Sequence, residues 1–324
     1  MPFVPGYEHV PGQHCGSTAL RNLLRFHGAE ISEEMAFGLG AGACFYYVTI
    51  EGTSPSRFFN GRTARLEESF AELTGTALEL RTFAPGEGEA WAAARAAVDA
   101  GSPVLLLTDI YHLDHYGSSA RFPGHAVVLA GYDERVAHLS DTGFEQLQET
   151  ALENLDRARH GEHPAYPLAG HMFTVAGEVP AERLRESAPA AIERAARRML
   201  EPEFPGFSGL DAVRRLAEEI GAWPEQAEDW QWCARFGYQV IERRGTGGGA
   251  FRLMYSRFLD EVGRPEGAAL AAAAAAAWTE LAGAMQAASE SDEPEPGLWR
   301  RVDAAANEVA EAEQRLWSSL ATPQ

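Results

Sequence analysis

The run GYEHVPGQHCGSTALRNLL, Gly6–Leu24, passes from a turn-rich stretch into a helical pattern at its cysteine. From Ser17 to Gly28 the apolar positions Leu20, Leu23, Leu24 and Phe26 recur at mostly helical spacing, and the run closes on glycine. Cys15 therefore stands where a helix begins. Unpaired N–H groups and aligned peptide dipoles favour negative charge at such a place, which helps a thiol become a thiolate. A nucleophile, a metal ligand and a small core residue all suit a cysteine there, and the rest of the chain decides among them.

A thiolate nucleophile needs a base, and the base needs an orienting group. FPGHAVVLAGYD (residues 122–133) puts His125 at the head of an apolar strand, and VAHLSDTG (residues 136–143) puts Asp141 at the end of the next. Paired about YDER, Tyr132–Arg135, with the tip near residue 133, the two strands set His125 and Asp141 roughly opposite each other. A lone histidine is more often structural, and an aspartate after a strand is often only a turn residue. Their joint placement downstream of a helix-start cysteine favours a Cys15, His125, Asp141 triad. Cys44 and Cys233 read as buried filler.

Composition narrows the field. At 324 residues the chain has room for about two domains, and 45% apolar residues are enough for a sizeable core. All 27 basic residues are arginine, so lysine Schiff bases, a phosphate-loop lysine and lysine general bases are excluded. The net charge of −20 argues against sequence-independent binding to nucleic acid and favours a cationic small molecule. Three scattered cysteines make neither a disulfide framework nor a zinc cluster. The start, MPFVPGYEHV, lacks a basic region followed by an apolar run, and the alanine run Ala268–Ala277 is far short of the ~20 strongly apolar residues that cross a bilayer. The expectation is a cytoplasmic chain with reduced thiols, no membrane partner, no metal and no cofactor. A homo-oligomer is compatible with this composition.

The texture changes near residue 178. Before it, helices are expected at Ser17–Gly28, in SEEMAFGLGAG, RLEESFAELTG and EAWAAARAAVDAG, and strands at Cys44–Ile50, in SPVLLLTDIYHL and in the hairpin about YDER. After it, Pro180–Arg198, Gly209–Ile220, Pro224–Arg243, Phe251–Val262, Gly267–Ser289 and Leu298–Leu320 all read as helices, broken at Pro- and Gly-bearing runs. The expected fold class is α+β, with a mixed catalytic domain over 1–178 and an all-α domain over 179–324.

HCGSTALRNLL, FGLGAGACFYY, LLLTDIYHLDHY, GHAVVLAGYD and LSDTG, in that order, resemble the butirosin biosynthesis protein H family. YQVIERRGTGGGAFRLMYSRFLDEV, Tyr238–Val262, resembles the uncharacterised helical domain that often follows it. The resemblance implies a papain-like N-terminal domain, distantly similar to bacteriocin-processing cysteine peptidases, and an acyltransferase activity. The family's namesake moves an aminoacyl group from a carrier-protein thioester to an amine of an aminoglycoside. By motif, Cys15 matches the nucleophile, His125 the base and Asp141 the orienting residue. The implied partners are an acyl carrier protein or another thioester donor, and a small-molecule amine acceptor.

One position departs from relatives. Papain-like peptidases place an oxyanion-hole glutamine about six residues before the cysteine, where this chain has His9, while Gln13 is two before. The expected hole is the Cys15 N–H with a side chain from His9, Gln13 or His14. DIYHLDH, Asp109–His115, is weak as a metal site. The resemblance makes it pocket lining, with Asp109 and Tyr111 nearest the chemistry and Tyr47 a further pocket residue. RRGTGGGAFR, Arg243–Arg252, can form a backbone nest for an anion such as a pantetheine phosphate, with Gly248 and Arg252 as its candidates. The preferred reading of that run is a helix–helix connection that needs positive φ. Arg243, Arg244 and Arg252 are also the candidates for a landing patch for an acidic donor.

The triad serves a transferase, a peptidase or amidase, or a cyclase equally, because the acyl-enzyme is common to all. A non-catalytic binding module fits the intact Cys/His/Asp set less well. The length of the helical part, as a cover that excludes water, favours transfer.

Overall fold

The apolar runs expected as strands become Val104–Asp109 and Pro123–Tyr132, antiparallel neighbours at the middle of a six-stranded sheet. The computed structural model describes residues 3–86, 88–162 and 166–322. In spatial order the sheet runs Leu78–Arg81, Met172–Val175, Val104–Asp109, Pro123–Tyr132, Val136–Ser140, Gln148–Ala151, and every pairing is antiparallel. Val104, Leu106, Val127 and Leu129 share a core with Ala90, Ala94 and Val98 of helix Glu89–Asp99 and with Leu155 and Ala158 of helix Leu152–Arg159. The intervening Leu105, Leu107, Ala126 and Val128 are buried as well. That is why these strands read as unbroken apolar runs and not as alternating ones. Helix Cys15–Phe26 packs against the same two strands.

The fold is α+β with a mostly helical C-terminal region. It divides into two compact units: Met1–Ala36 with Ala64–Arg185, and Phe37–Thr63 with Glu186–Gln324. The first holds the six-stranded sheet. This division differs from the expected boundary after residue 178 in two respects. Residues 179–185 stay with the sheet unit, and Phe37–Thr63 belongs with the helices. The segment forms an antiparallel pair, Ala43–Thr49 with Arg57–Arg62. The first strand packs on helices Ala188–Leu200 and Gly209–Glu219, and the second on helix Trp230–Glu242. Local texture made these strands part of the first domain, but their packing partners lie far along the chain.

The helical unit is built around a hairpin of two 25-residue helices, Pro265–Ser289 and Pro296–Leu320. Ala271, Ala274, Trp278, Leu281, Met285 and Ala288 are buried on the first, at alternating three- and four-residue steps. Trp299, Val302, Ala306, Val309, Glu313 and Leu316 repeat those steps on the second. This is the apolar stripe that lets two helices pack along their length. Pro265–Ser289 is longer than the alanine run within it. By length and composition it is long and apolar enough to cross a membrane, yet half of its most apolar stretch is buried inside the protein. It also packs on helices Trp230–Glu242 and Arg252–Glu261, as a core helix does.

Candidate active site

Cys15 is the first residue of helix Cys15–Phe26, as the sequence pattern requires. The turn before it is held from two sides. His14 is the N-cap, and its Nδ1 accepts the Ser17 N–H at 3.3 Å. The buried Glu33 carboxylate accepts the Gln13 N–H (3.0 and 3.1 Å), the His14 N–H (2.7 Å) and the Ser17 hydroxyl (3.2 Å). Two backbone donors that the helix cannot satisfy thus find a carboxylate. Arg21, in the second turn, bonds the Pro11 carbonyl at 3.2 Å and draws the preceding loop onto the helix. Cys15 itself is partly exposed.

His125 lies near the start of strand Pro123–Tyr132, and Asp141 directly follows strand Val136–Ser140. Val128 pairs with Ser140, and one step further that register sets Asp141 level with Val127. His125 is two residues beyond Val127 on the same face, so the pair is diagonal and not directly opposite. The turn centres later than expected, because Asp133 N–H bonds the Val136 carbonyl and Asp133 Oδ1 accepts from Arg135 and Val136. A register irregularity between Leu129 and Gly131 takes one place back, from Val128 to Val127. Diagonal neighbours stand about 7–8 Å apart at the backbone, within reach of a long side chain. The imidazole closes the gap: His125 Nε2 is 2.9 Å from Asp141 Oδ1 and 3.0 Å from Oδ2.

Both side chains are almost fully buried, and the electrostatics favour an ion pair. Burial alone pulls the imidazolium down, but the Asp141 carboxylate and then the Cys15 sulfur push its pKa up to about 10. Burial acts on Asp141 in the opposite sense and is outweighed by His125 and His115, which hold the carboxyl well below its usual range. With Nε2 committed to Asp141, Nδ1 is the ring nitrogen left to serve the Cys15 side.

Three groups that sequence reasoning did not place in the site complete it. His115 Nε2 donates to Asp141 Oδ2 at 2.8 Å. The Tyr116 hydroxyl lies 3.3 Å from Asp141 Oδ1 and 3.3 Å from His125 Nε2, and its ring meets the His125 ring edge-on. Burial, the Asp141 carboxylate and the Cys15 sulfur push its phenol far above the usual range, so it stays an O–H donor. Phe144 packs edge-on against both the His115 and Tyr116 rings. The motif DIYHLDHY carried the signal, but as sequence it gave no reason to choose His115 over His112.

Several expected site residues have other work. His9 occupies the position of the oxyanion glutamine, but both ring nitrogens are engaged. Nε2–H donates to the Phe144 carbonyl (2.8 Å), and Nδ1 accepts from Ser140 Oγ (2.7 Å). His14 is buried as the helix cap, which leaves Gln13, whose side chain is exposed, as the remaining one of the three. Asp109 is fully buried. Its Oδ1 accepts the N–H groups of Tyr111 (3.2 Å) and Phe122 (2.9 Å), and Oδ2 pairs with Arg121 (3.1 Å), so it fixes a loop. Tyr111 stays exposed under the Arg121 guanidinium. Tyr47 belongs to the helical unit, is wholly buried, and bonds Glu219 (2.9 Å) and Trp223 (3.2 Å), so it lines no open pocket.

The proposed anion nest is also a structural device. Arg252 is fully buried and bonds Glu313 through two nitrogens, at 2.7 and 3.0 Å. Its Nη1 also meets the carbonyls of Cys44, Gly61 and Ala250. Its anion is therefore a carboxylate of its own chain. Gly248 donates its N–H to Thr246 Oγ1 at 3.1 Å with φ at +98°, and at Gly249 a Cβ would lie 2.6 Å from the Ala275 backbone. The glycine run is a tight helix–helix connection. Cys44 and Cys233 are buried, and burial pushes both thiols up. Among the described residues no group of three or more His, Cys, Asp or Glu is arranged to hold a metal ion.

Set against known families, residues 14–142 match the one described as Butirosin biosynthesis protein H, N-terminal. Residues 153–320 match the Domain of unknown function (DUF4872). No curated protein matches the chain.

Proposed function

Because the chain belongs to the butirosin biosynthesis protein H family, with that N-terminal domain followed by the helical domain of unknown function, we propose that it is a thiol acyltransferase of antibiotic biosynthesis. In this reading it takes an acyl or aminoacyl group from a carrier-protein or pantetheine thioester and delivers it to an amine. The observation that carries the reading is the Asp141-bound His125, whose pKa is raised in part by the sulfur of Cys15, the first residue of a helix. A cytoplasmic location is part of the same reading.

The resting pair is a Cys15 thiolate beside a His125 imidazolium. The thiolate attacks the thioester carbonyl, and the oxyanion that forms faces the N-terminal end of the helix, where donors and dipole favour it. Collapse breaks the donor's C–S bond, and His125 gives its proton to the departing thiolate, leaving a Cys15 thioester and a neutral imidazole. A neutral amine then adds to that carbonyl, and His125 takes the proton the nitrogen sheds. Expulsion of the Cys15 thiolate yields the amide and restores the ion pair. Asp141 stays ionised throughout and favours the charged form of His125. The acidic surface draws in a polycationic acceptor.

The test is intact-protein mass after incubation with acyl pantetheine thioesters, followed by addition of amines. An acyl adduct on Cys15 that an aminoglycoside-like amine discharges as amide, well in excess of free acid, supports the reading. Free acid at one rate whatever the amine, or cleavage of a leader-like peptide, overturns it in favour of a hydrolase.

A further inference from the structure

Asp141 is met by two histidines, and only one of them has a role in the chemistry above. Oδ2 receives His115 Nε2 at 2.8 Å beside His125 Nε2 at 3.0 Å, while Oδ1 receives His125 Nε2 at 2.9 Å and the Tyr116 hydroxyl at 3.3 Å. A carboxylate is an acceptor only, so each contact is a donor aimed at it. The His115 side chain is 5% exposed, which leaves little room for water to replace it. Its ring is in turn held at Nδ1 by Thr150 Oγ1, at 3.1 Å, and by the edge-on Phe144.

The charged and titratable groups around this ring are few. Asp141 and Tyr116 touch it, and His125 and Cys15 are reached through Asp141. Its chain neighbour Asp114 is engaged elsewhere, with the Ala151 N–H (2.7 Å) and the Asn154 amide (2.6 Å). His115 is therefore not part of a cluster of ligands. It is one N–H donor with one carboxylate acceptor.

We propose that His115 is a positioning residue, whose Nε2–H locks the Asp141 carboxylate in the orientation that serves His125 and so supports the Cys15 thiolate. His125 Nε2 straddles the two oxygens and Tyr116 adds a donor on Oδ1 alone, so His115 is the one contact given to Oδ2 alone, and it balances Tyr116 across the carboxylate plane. Charge-assisted hydrogen bonds of this kind are the strong ones, and they favour the ionised acid. The inference rests on the reading that Cys15 and His125 react as a pair, and its test needs no acyl substrate.

The experiment is the rate of Cys15 alkylation by iodoacetamide, measured against pH in the full chain. His115→Phe keeps a ring but removes the donor, and His115→Gln puts an amide N–H where Nε2 stood. His115→Phe is expected to slow alkylation at pH 7 by about tenfold and to move its rise to higher pH, while His115→Gln stays within about threefold of the parent. Parent-like alkylation of a folded His115→Phe overturns the proposal, as does a His115→Gln protein that is folded yet as slow as His115→Phe. If His115→Phe does not fold, Thr150→Val reads the same contact from the far side of the ring. A several-fold slowing then supports the proposal, and the parent rate overturns it. His125→Ala is the reference: if it alkylates as fast as the parent, the Cys15–His125 pair itself is at fault, whatever His115 does.

Discussion

His125 Nε2 lies 2.9 Å from Asp141 Oδ1, although the strand register sets the two residues two places out of step. The imidazole spans the diagonal, and the carboxylate also gathers His115 and Tyr116. Asp141 is thus the hub of the site. In the proposed mechanism the base depends on it, and its environment decides what substitutions there do.

His125→Ala removes the proton carrier and is expected to slow Cys15 acylation by at least ~10²-fold, the usual scale of general acid–base catalysis. Asp141→Asn is expected to cost less. An amide oxygen in the place of Oδ2 still accepts from both histidines, and its NH₂ faces the Tyr116 oxygen. What Asn removes is charge, so the His125 pKa should fall from about 10 toward its ordinary value. Single-turnover mass spectrometry gives the rates, and an NMR titration of the His125 ring gives the shift. An unmoved His125 titration in Asp141→Asn would overturn the electrostatic account.

The same pair predicts a pH profile for stability. His125 titrates higher when folded, at about 10 against an ordinary 6.5, so its contribution is complete below pH 6.5 and is lost as pH rises through 10. Asp141 titrates below its ordinary 3.8, so its contribution is complete above 3.8 and is lost on acidification. Thermal midpoints of the parent and of a His125→Gln, Asp141→Asn double variant should therefore differ most between about pH 4 and 6.5 and converge at both extremes. A gap that widens above pH 10 would contradict this.

Iodoacetamide at neutral pH is expected to label Cys15 alone. Cys44 and Cys233 are buried and their thiols are pushed up, so they should react only after unfolding. Peptide mapping of native and denatured samples checks this, and label on Cys44 in the native protein would count against the assignment of the nucleophile.

Glu313 sits in the apolar stripe of helix Pro296–Leu320, where it receives Arg252 and the indole N–H groups of Trp278 (2.7 Å) and Trp317 (2.6 Å). Glu313→Gln leaves a fully buried guanidinium without its counter-charge, and the expected loss is about 3–5 kcal/mol. Denaturant unfolding measures it. A near-neutral result would mean that the pair is solvated or replaceable, contrary to its burial.

At Gly12 a Cβ would collide with Thr18 Oγ1 and stand 2.6 Å from Glu33 Oε2. Gly12→Ala should therefore displace the carboxylate that holds the Gln13 and His14 N–H groups, at a cost of about 1–3 kcal/mol. Cys15 alkylation should slow with it, because the turn that sets the helix start loosens. Unchanged melting and unchanged alkylation would show that the loop absorbs the methyl group without shifting Glu33.

What was legible in the sequence was what local periodicity and turn chemistry carry. Leu20, Leu23 and Leu24 announce a helix beginning at Cys15, and the apolar run after His125 announces a strand. The alanine-rich segment announces a long helix. Each of these depends on residues within a few positions of one another, so a one-dimensional pattern records it. Only the tertiary structure decided the partnerships. It joined His115 to Asp141 across 26 positions, and Arg252 to Glu313 across 61. It also set strand Ala43–Thr49 among helices more than a hundred residues downstream. A buried charge takes whichever counter-charge the packing brings within 3 Å, and side chains at that range leave no periodic trace in the chain. So Arg252, a candidate for an anion nest in the sequence, answers a glutamate, and His115, in a run expected to line the pocket, answers the carboxylate beneath His125.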